Sequence, residues 1–280
     1  MSQTEFYNNK TVAITGASSG MGRSYALLLA QQGANVVLGD VAQEGLQETV
    51  ALVQAIPGVQ VVSMHLDVSD EAQWDAFKEL CESRFGGCDM LINNAGIEGA
   101  TKPVWASSTA AIKQTMDINF YGVVYGCRAF LPLLVHRPWA AIVNVSSIFG
   151  FIGTPNASDY CASKFAVRGY TESLMVELAH VYPQVQVHLV HPGGVATDIA
   201  RSKGTAKFKR KFLTTPSDEM VNVVLQQVQR NTPRIVYGNH AKKTYWLSKL
   251  LPLTRLKQII SKGLKLVDPK DYAPDHKGFK

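Results

Sequence analysis

Seven short runs rich in β-branched residues recur along the chain, separated by stretches long enough to hold a helix. They are TVAIT (11–15), NVVLGD (35–40), VQVVSMHLD (59–67), DMLINN (89–94), AAIVNVSS (140–147), QVQVHLVHP (184–192) and RIVYG (234–238). Helical patterns lie between them at about 20–32, 42–55, 70–85, 109–135, 157–181 and 216–230. A strand followed by a helix-length connection returns parallel to its neighbour through a right-handed crossover, which leaves both faces of the sheet covered by helices. The pattern predicts an α/β fold, a single Rossmann-like doubly wound parallel sheet with helices on both faces. With 46% hydrophobic residues in 280, the chain can bury such a core. No linker or internal repeat interrupts the alternation, so residues 1–238 read as one domain and 239–280 as a basic, partly helical C-terminal extension.

The first run enters TGASSGMG (15–22) and then the helix RSYALLLAQQ, so Gly16, Gly20 and Gly22 fall at a strand-to-helix turn, with Ser18, Ser19 and Met21 completing it. Glycine lets backbone N–H groups approach a pyrophosphate, and a helix N-terminus adds partial positive charge. Asp40 closes the second strand 18 residues after Gly22, where a carboxylate can accept both ribose hydroxyls. Its charge repels a 2′-phosphate, and no Arg or Lys stands in GDVAQ or ASSGM, so NAD is expected rather than NADP. Asp67, before Val68, has two readings: a partner for the adenine amino group, or a helix cap.

Tyr160 and Lys164 in SDYCASK (158–164) stand four apart on a helix, which puts both on one face about 5–6 Å apart. A free tyrosine, with a pKa of about 10, is a poor base at neutral pH. A neighbouring ammonium and the positive ring of an oxidised nicotinamide would favour the phenolate. Ser146 and Ser147 end the fifth strand at the sheet edge where ligands bind in this architecture. NNAG (93–96), with Asn94, Ala95 and Gly96, ends the fourth strand with small and amide residues suited to a cofactor groove, and Asn119 interrupts an apolar helix in MDINFYG.

These motifs, in this order and spacing over residues 10–200, resemble those of the short-chain dehydrogenase/reductase family in its form of about 250 residues. The resemblance implies that Tyr160 is the general acid/base, that Lys164 lowers its pKa and holds the nicotinamide ribose, and that Ser147, the second serine of the pair, orients the substrate oxygen. It further implies that Asn119 supports a water relay from Lys164. HPGGVATDIA (191–200) resembles the family's nicotinamide-facing loop, shaped by Pro192 and Gly193, with Val195 and Thr197 on the carboxamide. Gly194 departs from the bulkier residue of many relatives and reads either as a wider pocket or as a turn glycine. His191 reads as a hydrogen-bonded strand-end histidine, and His65 and His188 lack metal-ligand spacing, so no metal site is expected.

The implied reaction is reversible hydride transfer between nicotinamide and a secondary alcohol or ketone, with the proton passing through Tyr160. The substrate is set by about residues 198–215 and by IFGFIGTP after Ser147. Phe149, Phe151 and Ile152 read as an apolar wall or as core, with Gly153 beside them, and the first reading makes the substrate a small hydrophobic alcohol or ketone. The alternatives are an NADP-linked ketone reductase, against which Asp40 argues, and a non-catalytic NAD-binding regulatory protein, which the intact Ser–Tyr–Lys set disfavours.

Charge is unevenly spread: residues 1–200 hold 10 Lys and Arg against 17 Asp and Glu, and residues 201–280 hold 18 against 5. The tail 240–269 sets Leu, Ile and Trp at helical spacing among lysines. This reads as an extension packed on its own subunit or over the substrate cleft, or as helices lying on a membrane surface, with Pro252 dividing it. It lacks the interleaved aromatics of a nucleic-acid binder. Residues 1–10 hold no signal-peptide run, and no run of about 18 apolar residues occurs, so a cytoplasmic protein is expected, peripheral at the inner membrane surface if the tail meets lipid. Four cysteines without a CxxC pair read as reduced packing residues. A homodimer or homotetramer is expected on the helices near 109–135 and 157–181, where Gly122, Gly126, Ala162, Ala166 and Gly169 permit close packing.

Overall fold

A computed structural model of the chain describes residues 6–197 and 210–263. The seven runs form strands β1 (Thr11–Thr15), β2 (Asn35–Asp40), β3 (Val61–His65), β4 (Met90–Asn93), β5 (Ala140–Val145), β6 (Val185–Pro192) and β7 (Arg234–Tyr237). Between them run α1 (Gly20–Gln31), α2 (Gln43–Gln54), α3 (Glu71–Phe85), α4 (Thr109–Met116), α5 (Gly122–Leu134), α6 (Ser158–Val181) and α7 (Ser217–Gln229). The sheet order is β3-β2-β1-β4-β5-β6-β7, with each neighbouring pair parallel. After β3 the chain crosses back past β1, so the carboxyl ends of β1 and β4 part at a crevice, the place where such sheets take ligands.

Alternation along β1 shows why both faces are covered. Val12 and Ile14 face one layer with Tyr25 and Leu29 of α1 and Val221 and Val224 of α7. Ala13 faces the other, with Trp74 and Phe77 of α3, Phe130 of α5 and Val167 of α6. Side chains of period two thus feed two separate cores. Cys81, Cys88, Cys127 and Cys161 are free and buried in this packing.

The single helix expected over 109–135 is broken. Asp117–Tyr121 form a π turn, closed by the Gly122 N–H donating to the Asp117 carbonyl, between α4 and α5. One extra residue per turn rotates Asn119 inward to full burial, whereas the apolar pattern continues on both sides and gives no sequence sign of a break.

The extension begins as two helices, α8 (Ala241–Leu250) and α9 (Leu253–Gly263), split at Pro252. They pack on their own subunit: Ala241 and Leu256 are buried, and the Tyr245 ring meets Phe151 edge-on at 5.2 Å between centroids. Residues 264–280, like most of the substrate segment 198–215, lie outside the described residues.

Candidate active site

The glycine turn is built by close approach. Gly16 has φ +67°, and a methyl group there would come within 2.8 Å of the Ala95 Cα. One at Gly22 would stand 1.9 Å from the Gly16 carbonyl oxygen, so α1 starts against the turn itself. The turn is pressed against the NNAG segment, whose Asn94 and Ala95 N–H groups both donate to Thr15 Oγ1 at 3.1 Å. Gly20, with φ +52°, lies so near the Thr197 side chain that a methyl group on it would stand 3.1 Å away, which brings the HPGGVAT loop over the turn. The result is a turn packed so tightly against the end of β4 and the HPGGVAT loop that its glycines admit no Cβ, and its backbone at the start of α1 fits a dinucleotide pyrophosphate.

Asp40 stands at the rim of this cradle. Its Oδ2 accepts from the Ser18 N–H at 2.9 Å and its Oδ1 from the Ala42 N–H at 2.8 Å, so the carboxylate is locked in place beside the turn. The residues flanking Asp40 in sequence include no basic neighbour, yet the fold brings Arg23 close. That guanidinium is spent on the Ser18 and Gly45 carbonyls, Thr49 and the Glu48 carboxylate. Asp67 Oδ1 accepts from the Ser69 N–H and hydroxyl and so shapes the turn leading to α3, while Asp70 caps that helix. Val68 is buried against Gly122.

Ser147, Tyr160 and Lys164 meet at the carboxyl end of β5. Ser147 Oγ accepts from the Phe149 N–H at 3.1 Å, which caps a 3-10 turn over Ile148–Gly150. Burial pushes the Tyr160 phenol up to about 12, opposed by the Ser147 hydroxyl, which favours the phenolate. The Lys164 ammonium lies 5.6 Å from the centre of the Tyr160 ring and donates to the Val145 carbonyl at 3.0 Å. Burial lowers its own pKa to about 8. Lys164 thus lies over the Tyr160 ring while its ammonium is tied to the Val145 carbonyl. Ser146 donates to the Lys164 carbonyl at 2.9 Å and so ties β5 to α6.

Asn119 is a clamp. Its Oδ1 accepts from the Ile97 N–H at 2.8 Å, and its Nδ2 donates to the Ile97 carbonyl at 2.9 Å and to Ser163 Oγ at 3.1 Å. This holds Gly96 beside the site, where a methyl group would lie 3.1 Å from Asn119 Oδ1 and 3.4 Å from Lys164 Nζ.

The aromatic wall divides. Phe149 meets Tyr160 edge-to-face at 6.0 Å, inside the site. Phe151 does not: the 3-10 turn sends it the other way, where it stacks on His191 at 3.9 Å and is buried. Ile152 and Gly153 line a groove toward α9, in a set that lacks Ser147, Phe149 and Tyr160. Gly194 does not widen the pocket either, because the Phe212 carbonyl oxygen stands 1.6 Å from where its Cβ would be. The missing side chain admits the returning backbone, and Thr214 and Thr215 N–H groups bond to the Gly194 carbonyl. Gly193 approaches Asn239 in the same way, and Val195 is buried beside Thr215. His191 donates from Nδ1 to the Ser147 carbonyl at 2.7 Å, and burial lowers its pKa to about 3.

Sequence reasoning missed Asp159. It is 3% exposed. Its Oδ2 accepts from the Ala100 N–H at 2.8 Å and from Thr115 Oγ1 at 3.0 Å, and its Oδ1 from the Tyr160 N–H at 2.9 Å. An acid in a first helical turn looks like an exposed dipole partner. Nothing local announces that partners 44 and 59 residues away enclose it.

The sequence model of the short chain dehydrogenase family matches residues 10–207. The chain is 38% identical over 255 residues to the oxidoreductase SadH of Mycobacterium tuberculosis, a match covering 88% of this chain and 92% of that protein. It is 37% identical over 210 residues to a cyclopentanol dehydrogenase of a Comamonas species, covering 75% and 82%. A solved short chain dehydrogenase/reductase from Burkholderia phymatum, in complex with NAD, aligns with TM-score 0.76 and 28% identity over 82% of this chain and 89% of that one. The chain belongs to the short-chain dehydrogenase/reductase family. Its place there is with the alcohol dehydrogenases and carbonyl reductases, enzymes of alcohol and ketone oxidoreduction that use a nicotinamide cofactor.

Proposed function

We propose that the protein oxidises a hydrophobic secondary alcohol, or reduces the corresponding ketone, with NAD(H). The observation that carries this reading is the convergence of Ser147, Tyr160 and Lys164 at the end of β5, with Asp40 locked beside the glycine turn. NAD, when bound, takes or returns the hydride. Gly16, Ser18, Ser19, Gly20, Met21 and Gly22 cradle its pyrophosphate, and the Asp40 carboxylate accepts from the adenosine ribose and repels a 2′-phosphate. Lys164, whose ammonium lies over the Tyr160 ring, would hold the nicotinamide ribose.

Ser147 holds the substrate oxygen, and Tyr160 takes its proton during oxidation and returns it during reduction. Phe149, edge-on to Tyr160, gives the substrate an apolar contact, and the similarity to a dehydrogenase named for cyclopentanol supports a compact secondary alcohol. A dimer or tetramer belongs to the same reading. Gly122 and Gly126 face Val68, Asn93 and Trp74 of their own subunit, so the contact would instead use the outer side of α6, where Ala162, Phe165 and Gly169 are exposed.

The test is NADH formation with cyclic and linear secondary alcohols, with NAD and NADP compared, in the wild type, Tyr160→Phe and Asp40→Ser. Turnover with NAD should fall by about 100-fold or more in Tyr160→Phe. The preference for NAD over NADP should fall by about ten-fold or more in Asp40→Ser, a difference of roughly 1.4 kcal/mol. Equal turnover with both cofactors in the wild type would refute the role of Asp40.

A further inference from the structure

We propose that the outer face of α8, continued across Pro252 onto the start of α9, docks on an anionic lipid bilayer. Spacing alone gives both tail helices an amphipathic pattern, and the structure separates their roles. Two of the four large apolar residues of α9 face inward. Leu256 is buried, and Ile260 lies in a groove of roughly 460 Å³ against Phe151, Pro155 and Phe165.

In α8 the apolar residues divide the other way. Ala241 is buried and the Tyr245 ring meets Phe151, while Trp246, 56% exposed, rests edge-on against Tyr245 at 5.2 Å between ring centres and Leu250 is 73% exposed. Four residues apart, these two share one helical face. Leu253, 79% exposed, follows Pro252 at the mouth of the α9 groove and adds to the exposed apolar surface. Lys242, Lys243 and Lys249 on α8 and Arg255, Lys257 and Lys262 on α9 are all exposed, and residues 241–262 contain no Asp or Glu.

Six cations without an acid complement an anionic surface and nothing else as well. Cores of protein interfaces are depleted in lysine, whereas each large apolar residue of this stripe has lysines beside it. A tryptophan with a polar ring nitrogen and lysines with long apolar stems suit the boundary between headgroups and acyl chains. The contact is one of lying on the bilayer, because no helix among the described residues is long and apolar enough to cross it. The proposal is independent of the catalytic reading.

The full chain would be mixed with vesicles of phosphatidylcholine alone or with phosphatidylglycerol added, and followed by co-sedimentation and tryptophan fluorescence. Binding is expected to the anionic vesicles, with a blue shift that Trp246→Ser removes and a loss of binding as salt rises. Each lysine near an anionic surface contributes about five-fold in partitioning, so Lys243→Gln with Lys249→Gln should weaken binding by about 25-fold. Trp246→Ser with Leu250→Ser should abolish it. All these side chains are exposed and none belongs to the Ser147, Tyr160 and Lys164 set, so unchanged turnover of a soluble alcohol shows that each variant is folded. Failure to bind anionic vesicles would overturn the proposal, as would binding that neither pair of substitutions weakens. Self-association lost with Trp246→Ser and Leu250→Ser, without vesicle binding, would assign the face to a second copy of the chain instead.

Discussion

Replacing Asp159 should damage both stability and turnover, and the two replacements Asp159→Ala and Asp159→Asn should do so unequally. The carboxylate receives three donors, two on Oδ2 from Ala100 N–H and Thr115 Oγ1 and one on Oδ1 from Tyr160 N–H. Alanine orphans all of them in a buried site. The Thr115 hydroxyl also donates to the Ala111 carbonyl at 2.9 Å and can settle there, which leaves two backbone N–H groups without partners. At about 1–3 kcal/mol for each unmet donor, Asp159→Ala should lose roughly 3–5 kcal/mol. That corresponds to a fall in Tm of about 6–20 °C for a chain of this size. Asparagine can place its one oxygen toward Ala100 and Thr115, but its NH2 then faces the Tyr160 N–H, donor against donor. It should lose about 1–2 kcal/mol. Thermal and urea unfolding would supply the numbers, with steady-state kinetics beside them. Because Asp159 joins the segment after NNAG to the Tyr160 backbone, kcat should fall in Asp159→Asn even where the protein is fully folded. A loss below about 1 kcal/mol in Asp159→Ala, or equal losses in both variants, would refute the reasoning.

Three further outcomes are expected. With the Tyr160 phenol held at about 12 by burial, alcohol oxidation, which needs the phenolate, should rise with pH between about 6 and 10, while ketone reduction, which needs the protonated phenol, should stay nearly flat over the same range, both read from initial rates. His191 has a folded pKa lowered to about 3, against about 6.5 unfolded, so the unfolded chain binds the extra proton as pH falls. Stability fully present above about 6.5 should therefore be lost on acidification, on the order of 2 kcal/mol by about pH 5, and His191→Asn should flatten that slope in urea titrations. Gly194→Ala should lower Tm by several degrees, since its methyl group would overlap the Phe212 carbonyl; an unchanged Tm would mean that residues 212–215 move aside without cost.

What the sequence made legible was whatever depends on neighbours along the chain. Strand runs, the glycine turn, Asp40 at a strand end and the four-residue spacing of Tyr160 and Lys164 are local patterns, and the structure places each where its pattern implies. Features that depend on distant partners were hidden. The π turn at Asp117–Tyr121 leaves the apolar periodicity intact, so 109–135 reads as one helix until Asn119 is seen clamping Ile97. Phe149 and Phe151 have the same composition of neighbours, and a 3-10 turn invisible to periodicity sends them to opposite sides. Gly194 shows no trace of Phe212, 18 positions later, until the backbone returns across it. Burial of Asp159 belongs to the same class.

Ser147, Tyr160 and Lys164 all come from the span between the end of β5 and the second turn of α6, 18 residues in length. Its two ends are pinned, by the Ser147 cap and the His191 bond on one side and by Asp159 on the other. The stretch between the pins, residues 153–156, can therefore be rewritten without disturbing the chemistry. Asn156, at φ +57°, already marks a bend within it. For heritable change this is a favourable division of labour: a short cassette can be lengthened, shortened or exchanged to present new surfaces to new alcohols, while the proton-transfer apparatus passes unaltered from parent to descendant.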